Sequence, residues 1–92
     1  MRFYTSREIQ RLLEIDEGLW VELEREEIVV GDAPEPEAYS ERMFERARVA
    51  CNLVNELEVN LAGAAIIVRM REELADLRRD VARLLAEIER AR

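Results

Sequence analysis

The chain has 92 residues, of which 49% are hydrophobic and 38% charged, and its formal net charge is −7. This composition is too apolar for a disordered chain and is typical of amphipathic helices that share a core. The sequence shows neither an apolar run near the roughly 20 residues of a membrane span nor the basic start and apolar region of a signal peptide, so we expect a cytoplasmic protein.

The residue types that usually carry catalysis and metal binding are scarce. The chain has no histidine and one cysteine, Cys51, which lies on an apolar helical face in RVACNLV. The usual zinc and haem ligands are therefore missing, and a serine or cysteine nucleophile would find no imidazole base. The segment GDAPEP has one glycine and no following lysine, so it is not a phosphate-binding loop. We predict no enzyme, no cofactor and no metal site, and we expect Cys51 to be part of the core.

The first two predicted helices are short and close together. Thr5 is followed three residues later by Glu8, the capping-box spacing, so a first helix is predicted at about residues 6–14. Asp16 is a good N-cap for a second helix through about Glu26. Two short helices joined in this way indicate a helix-turn-helix motif.

Residues 26–39, EEIVVGDAPEPEAY, contain a β-branched run, a Gly-Asp turn and two prolines. This pattern predicts a short strand and an extended return, which together would form a wing. Ser40 is then an N-cap for a third helix. Its apolar residues recur every three or four positions: Met43, Phe44, Ala47, Ala50, Cys51, Val54 and Leu57.

The last helix is predicted to begin between Leu61 and Ala64, after an interruption at EVNLAG, where Asn60 and Gly63 are weak helix formers. Its apolar residues alternate steps of three and four, as in a coiled coil. We call these eight positions the seam: Ile67, Met70, Leu74, Leu77, Val81, Leu84, Ile88 and Ala91. A stripe this long indicates pairing with a second chain, and the alternative is a long core helix. We predict a homodimer with the first seven seam residues in its interface.

The direction of pairing depends on the residues beside the seam. The e positions are Arg71, Arg78 and Leu85, and the g positions are Glu73, Asp80 and Glu87. Parallel chains would place Glu73 of one chain opposite Arg78 of the other. Antiparallel chains would place the acidic g residues of one chain opposite those of the other. Charge alone therefore favours parallel pairing, and only weakly.

The acidity is concentrated in the first part of the chain. Residues 1–41 hold four arginines and twelve acidic residues, a net charge of −8, while residues 42–92 have a net charge of +1. Residues 14–27, which include the second helix, carry seven carboxylates and one arginine around Trp20. A DNA-reading helix with this charge would be repelled by phosphates.

The order helix, turn, helix, wing, helix and coiled coil, with NELEVNLAGAAIIVRMREELADL leading into the coil, resembles the MerR-like superfamily over almost the whole chain. The arginine that DNA-binding members place on the DNA backbone corresponds here to Val21, and its neighbour to Glu22. Basic residues are also missing from the wing. Within the superfamily the chain looks most like the chaperone-modulator (CbpM-type) branch, and VNLAG is also similar to the heat-shock repressor HspR.

The resemblance implies a mostly α-helical, winged helix-turn-helix domain at residues 1–60 and a dimerisation helix at residues 61–92, paired antiparallel. It also implies binding to the J-domain of a DnaJ-like co-chaperone and regulation, by inhibition, of the stimulation of DnaK. An acidic surface around an aromatic anchor suits such a basic partner. The predicted partner-binding residues are Glu17, Trp20, Glu22, Glu24 and Glu26.

Three readings of function remain open: a chaperone modulator, a DNA-binding regulator of the MerR or HspR kind, and a purely structural dimerisation module. The acidic residues could equally form an ordinary solvated helix face. Trp20 could pack against the wing or the third helix instead of a partner. For the chaperone modulator we expect no binding to a specific DNA duplex.

Overall fold

A computed structural model of the protein describes residues 2–92 as four helices and a two-stranded antiparallel sheet. The elements in chain order are β1 (Phe3–Thr5), α1 (Ser6–Leu13), α2 (Glu17–Arg25), β2 (Ala38–Ser40), α3 (Glu41–Leu57) and α4 (Leu61–Ala91). The prediction of a mostly helical protein with a long C-terminal helix is confirmed.

Each helix begins directly after a polar residue that serves as its N-cap, at three of the four places as predicted. The Thr5 hydroxyl accepts a hydrogen bond from the Glu8 amide and the Glu8 carboxylate accepts one from the Thr5 amide, so the capping box is complete. A side-chain oxygen likewise accepts a backbone amide at the start of the other three helices, at Asp16, Ser40 and Asn60. These bonds satisfy amides that have no partner inside the helix.

The strand predicted directly after α2 is wrong. Residues 28–30, all of which the structure describes, form no strand, and β2 instead pairs with β1 near the N-terminus, with Tyr4 opposite Tyr39. Ile28 and Val29 lie in a loop, but they are 2% and 1% exposed and belong to the hydrophobic core. The Ile28 amide donates to the Leu23 carbonyl at 3.0 Å, which folds the run back onto the end of α2.

A single core joins the short elements to α3 and the start of α4. The largest fully buried side chains are Trp20, Ile9, Leu23, Ile28, Met43 and Val29. Cys51 is 6% exposed and belongs to this core, as predicted, and burial raises the pKa of its thiol. The rings of Tyr4 and Phe44 stack at 5.0 Å and the Tyr4 hydroxyl donates to Glu41, so that β1 is fixed to α3.

Helices α3 and α4 form an antiparallel hairpin. The turn between them contains Glu58, which has a left-handed backbone with φ 54°. Ala64, Ala65 and Val68 of α4 are buried in the core, and none of the described residues after Val68 is buried. Helix α3 ends at Leu57 and α4 begins at Leu61, and the first two turns of α4 complete the core of the preceding residues. The turns after Glu72, over about 28 Å, project away from it.

Candidate protein-binding surface and the seam of α4

The outward face of α2 is bordered by acidic residues on both edges. Glu17, Glu22 and Glu24 are exposed, and Glu26, just after the helix, is half-buried. At about 100° per residue, Glu17 and Glu24 lie within about 20° of each other, while Glu22 lies about 140° from Glu17. Val21 and Arg25 occupy the face between these edges. The predicted glutamates therefore form two borders and not one continuous patch.

Trp20 does not belong to this surface, which corrects its prediction as a partner anchor. Its side chain is 1% exposed and packs edge-on against the Tyr39 ring, with the centroids 5.2 Å apart. The reason is its position on α2, where it shares the inward side with Leu23. The alternative, that Trp20 packs within the domain, is the one that the structure supports. Val21, 42% exposed, is the large apolar side chain that α2 presents to solvent.

Glu37, on the loop before β2, acts electrostatically on the same buried phenol as Glu24. The pKa of Tyr39 is raised first by burial and then by the negative charges of Glu24 and Glu37. Glu37 was missed at the sequence level because it is 13 positions away from Glu24 along the chain. Only the fold brings both charges to bear on Tyr39.

Two arginines near the end of α2 are directed at the protein's own backbone. The Arg69 guanidinium donates to the Glu26 carbonyl at 3.2 Å, and the Arg46 guanidinium donates to the carbonyls of Glu27 and Ile28 at 3.4 and 3.3 Å. A cation at this place is favourable because the C-terminal end of a helix carries partial negative charge. The side chain of Arg46 is only 13% exposed. These contacts leave the neighbourhood of α2 dominated by acids.

Arg46 also pairs with Glu72 of α4, at 2.7 Å between Nη2 and Oε1, and Arg42 reaches the same carboxylate at 3.1 Å. Hydrogen bonds from Arg46, opposed by desolvation and reinforced by Arg42, lower the pKa of Glu72 to about 2. This ion-pair cluster connects α3, α4 and the loop after α2. The sequence carries no sign of this cluster because its three residues lie on charged helix faces, which are usually exposed to solvent.

The seam of α4 is exposed along its whole length. Ile67 is 38% exposed and Met70 61%, and Leu74, Leu77, Val81, Leu84 and Ile88 fall between these values. Val68 and Glu72, which turn towards α3, occupy the opposite side of the helix. The structure therefore places the seven predicted interface residues on one uncovered apolar stripe, which a monomer would leave in water.

Across residues 2–92 no group of three or more His, Cys, Asp or Glu side chains is arranged to hold a metal ion. None of the helices in that range is long and apolar enough to cross a membrane. Comparison of the chain with protein-family models, with curated proteins and with solved structures found no match.

Proposed function

We propose that the protein is a dimeric protein-binding module whose α2 surface docks a basic helix of another protein. The observation that carries the proposal is the outward face of α2, bordered by Glu22 on one side and by Glu17 and Glu24 on the other. Opposite charge steers two proteins together and fixes their orientation, so a partner with two rows of basic residues fits this face.

The partner that we propose is the J-domain of a DnaJ-like co-chaperone, and the outcome of binding is regulation, by inhibition, of its stimulation of DnaK. The partner class comes from the resemblance to the chaperone-modulator branch, and the charge of α2 supports it because J-domains carry a basic second helix. The same resemblance leads us to propose that α1, α2 and the loop up to β2 are a variant of the winged helix-turn-helix.

Val21 takes the role first assigned to Trp20. It lies between the two acidic borders and is 42% exposed, so a partner helix on this face would cover it. Burying one valine side chain is worth on the order of 1–2 kcal/mol, less than a tryptophan anchor. We therefore expect an interaction in which charge determines the association rate and the apolar contact is small.

The DNA-binding alternative lacks comparable support. DNA affinity comes mainly from lysine and arginine neutralising phosphates. Arg25 is the one basic residue of α2, while Arg46 and Arg69 are engaged with backbone carbonyls. The phosphates of a DNA duplex on this surface would be repelled by the glutamates of α2.

Charge reversal tests the proposal directly. We expect Glu22→Arg combined with Glu24→Arg to slow association with an isolated J-domain by roughly tenfold at low salt and to flatten the salt dependence. The matched control is Glu56→Arg with Glu89→Arg, which changes the net charge equally on exposed residues away from α2. Association rates are read by surface plasmon resonance at two salt concentrations, and thermal melts verify folding. Equal rates for both pairs would show that the α2 face is only a solvated surface.

A further inference from the structure

Two arginines from different helices hold the backbone turn that follows α2. Arg69 of α4 donates to the Glu26 carbonyl, and Arg46 of α3 donates to the carbonyls of Glu27 and Ile28. Three consecutive carbonyls therefore accept hydrogen bonds from two other helices. We call this turn and its two arginines the latch. The last turn of α2, directly before the latch, carries two of the glutamates of the proposed binding surface.

The turn of the latch has a backbone that needs outside contacts. Glu27 is left-handed, with φ 56°. This conformation is unfavourable for a residue with a Cβ atom and persists where surrounding contacts hold it. The amides of the turn are bonded locally, because Glu27 donates to the Glu24 carbonyl and Ile28 to the Leu23 carbonyl, both at 3.0 Å. The carbonyls are held from outside by the arginines. Loss of an arginine should therefore loosen the turn and, with it, the end of α2.

Both arginines of the latch depend on α4. Arg69 belongs to that helix, and Arg46 is held by Glu72 of the same helix at 2.7 Å. Arg69 and Glu72 are three positions apart, and their contacts place them on the side of α4 that faces the domain. The seam residues Ile67 and Met70 are exposed on another side of the same turns. The turns of α4 that complete the latch are therefore the first turns of the seam.

Little of α4 is packed on the domain. Its buried residues are Ala64, Ala65 and Val68, and Val68 directly precedes Arg69. A long helix without packed neighbours is marginally stable in water. Covering the seam with a second chain adds packing to the turns that carry Arg69 and Glu72. Pairing of the seam therefore makes the contacts of the latch more persistent.

We infer that the latch couples the α2 surface to the seam. Pairing of α4 with a second chain holds the last turn of α2 in position for its partner, and partner binding favours pairing in return. Arg69 is then a positioning residue, because it acts through the Glu26 carbonyl. The inference rests on the proposed function, which supplies the partner. Thermodynamic coupling is reciprocal, so each binding event tightens the other by the same factor.

Amide hydrogen exchange tests the latch without any partner protein. The amides of residues 26–28 donate to carbonyls of α2 and should be protected in the wild-type dimer. Their exchange should be roughly tenfold faster in Arg69→Ala and in Leu77→Glu, which disrupts the seam. Arg90→Ala, at the exposed far end of α4, is the matched control and should exchange like the wild type.

The amides of α1 separate a local effect from a global one, since the hydrogen bonds of Arg46 and Arg69 go to other elements. Exchange in α1 should be the same in all four proteins. Equal exchange of residues 26–28 in the wild type and in Leu77→Glu would overturn the inference. An equal acceleration of α1 would also overturn it, because pairing would then stabilise the domain as a whole.

Linkage to the partner supplies a second readout. An isolated J-domain at saturating concentration should lower the dimer dissociation constant of the wild type by roughly fivefold in sedimentation equilibrium. The constant of Arg69→Ala should not respond, while Arg69→Lys should recover part of the response because it keeps a donor. Arg90→Ala should respond fully. An arginine needed only for stability would shift the constant without changing its response, so equal responses of the wild type and Arg69→Ala would contradict the coupling.

Failure of the latch and failure of the proposed function give different results. A wild-type dimer that binds no J-domain would refute the proposed function, and the exchange experiment would still decide whether the seam controls the turn. A J-domain that binds the wild type and Leu77→Glu equally well would leave the proposed partner standing and overturn the coupling. A wild-type monomer would overturn the coupling as well, since it has no pairing to transmit.

Discussion

Glu72→Gln should reveal how strongly the ion-pair cluster holds α4 to the rest of the domain. Glu72 accepts hydrogen bonds from Arg46 and Arg42, which lower its pKa from 4.5 to about 2. Each pH unit of lowering corresponds to about 1.4 kcal/mol, so the folded state gains at most about 3 kcal/mol at neutral pH. The side chain is 28% exposed, and solvent screening reduces our expectation to roughly 2 kcal/mol.

The sign of the pH dependence follows from the lowered pKa. A carboxylate that is harder to protonate in the folded state stabilises the protein above its unfolded pKa, and this contribution is lost as the pH falls through the folded pKa. The difference in unfolding free energy between wild type and Glu72→Gln should therefore be constant above about pH 5 and should shrink as the pH falls towards about 2.

Urea denaturation followed by circular dichroism measures both quantities, at one protein concentration because a dimer's stability depends on concentration. Glu89→Gln, on the exposed far end of the same helix, is the control and should change stability by less than about 0.5 kcal/mol. If Glu72→Gln were no more destabilising than Glu89→Gln at neutral pH, the cluster would not hold α4. A difference that persisted unchanged to about pH 2 would contradict the assigned cause.

Three further variants test the core, a helix end and the seam. Trp20→Ala should cost about 3–5 kcal/mol of folding free energy in urea melts, whereas its exposed neighbour Val21→Ala should cost less than about 1 kcal/mol; equal losses would place Trp20 outside the core. Glu58→Gly should raise stability by about 0.5–1 kcal/mol, because glycine removes the Cβ strain of a left-handed residue, and Glu58→Ala should not; a loss with glycine would refute the strain. Leu77→Glu should halve the mass measured by sedimentation, and an unchanged mass would exclude the seam as the interface.

The helix ends were predictable because their signals are local. Thr5 with Glu8, Asp16 and Ser40 each offer a side-chain oxygen within three residues of the amide that they cap, so the sequence contains the whole interaction. The seam was predictable for the same reason, since its repeat depends only on helical periodicity.

The sheet and the direction of Trp20 could not be predicted in this way. Tyr4 pairs with Tyr39, 35 positions later, and a three-residue strand such as β1 carries almost no pattern of its own. Ile28 and Val29 have the composition of a strand, but their backbone bonds to the end of α2. The helix that contains Trp20 was predicted correctly. The inward direction of its side chain depends on Tyr39, whose ring packs against it in the core.

The left-handed turns have a similar explanation. Glu14, Glu27, Glu37 and Glu58 all have φ between 54° and 60°, a region that usually favours glycine. A glutamate gives no local signal for this conformation, so the turn at Glu27 that leads Ile28 into the core was read as the start of a strand.

Competition between a J-domain and DNA for the immobilised protein tests the central claim most directly. At physiological salt we predict that the J-domain is retained and that duplex DNA from the protein's own promoter is not. Retention should be lost with Glu22→Arg and Glu24→Arg and kept with Glu56→Arg and Glu89→Arg. Retention of the duplex in place of the J-domain, with an affinity that rises steeply as salt is lowered, would contradict the account and identify a DNA-binding regulator.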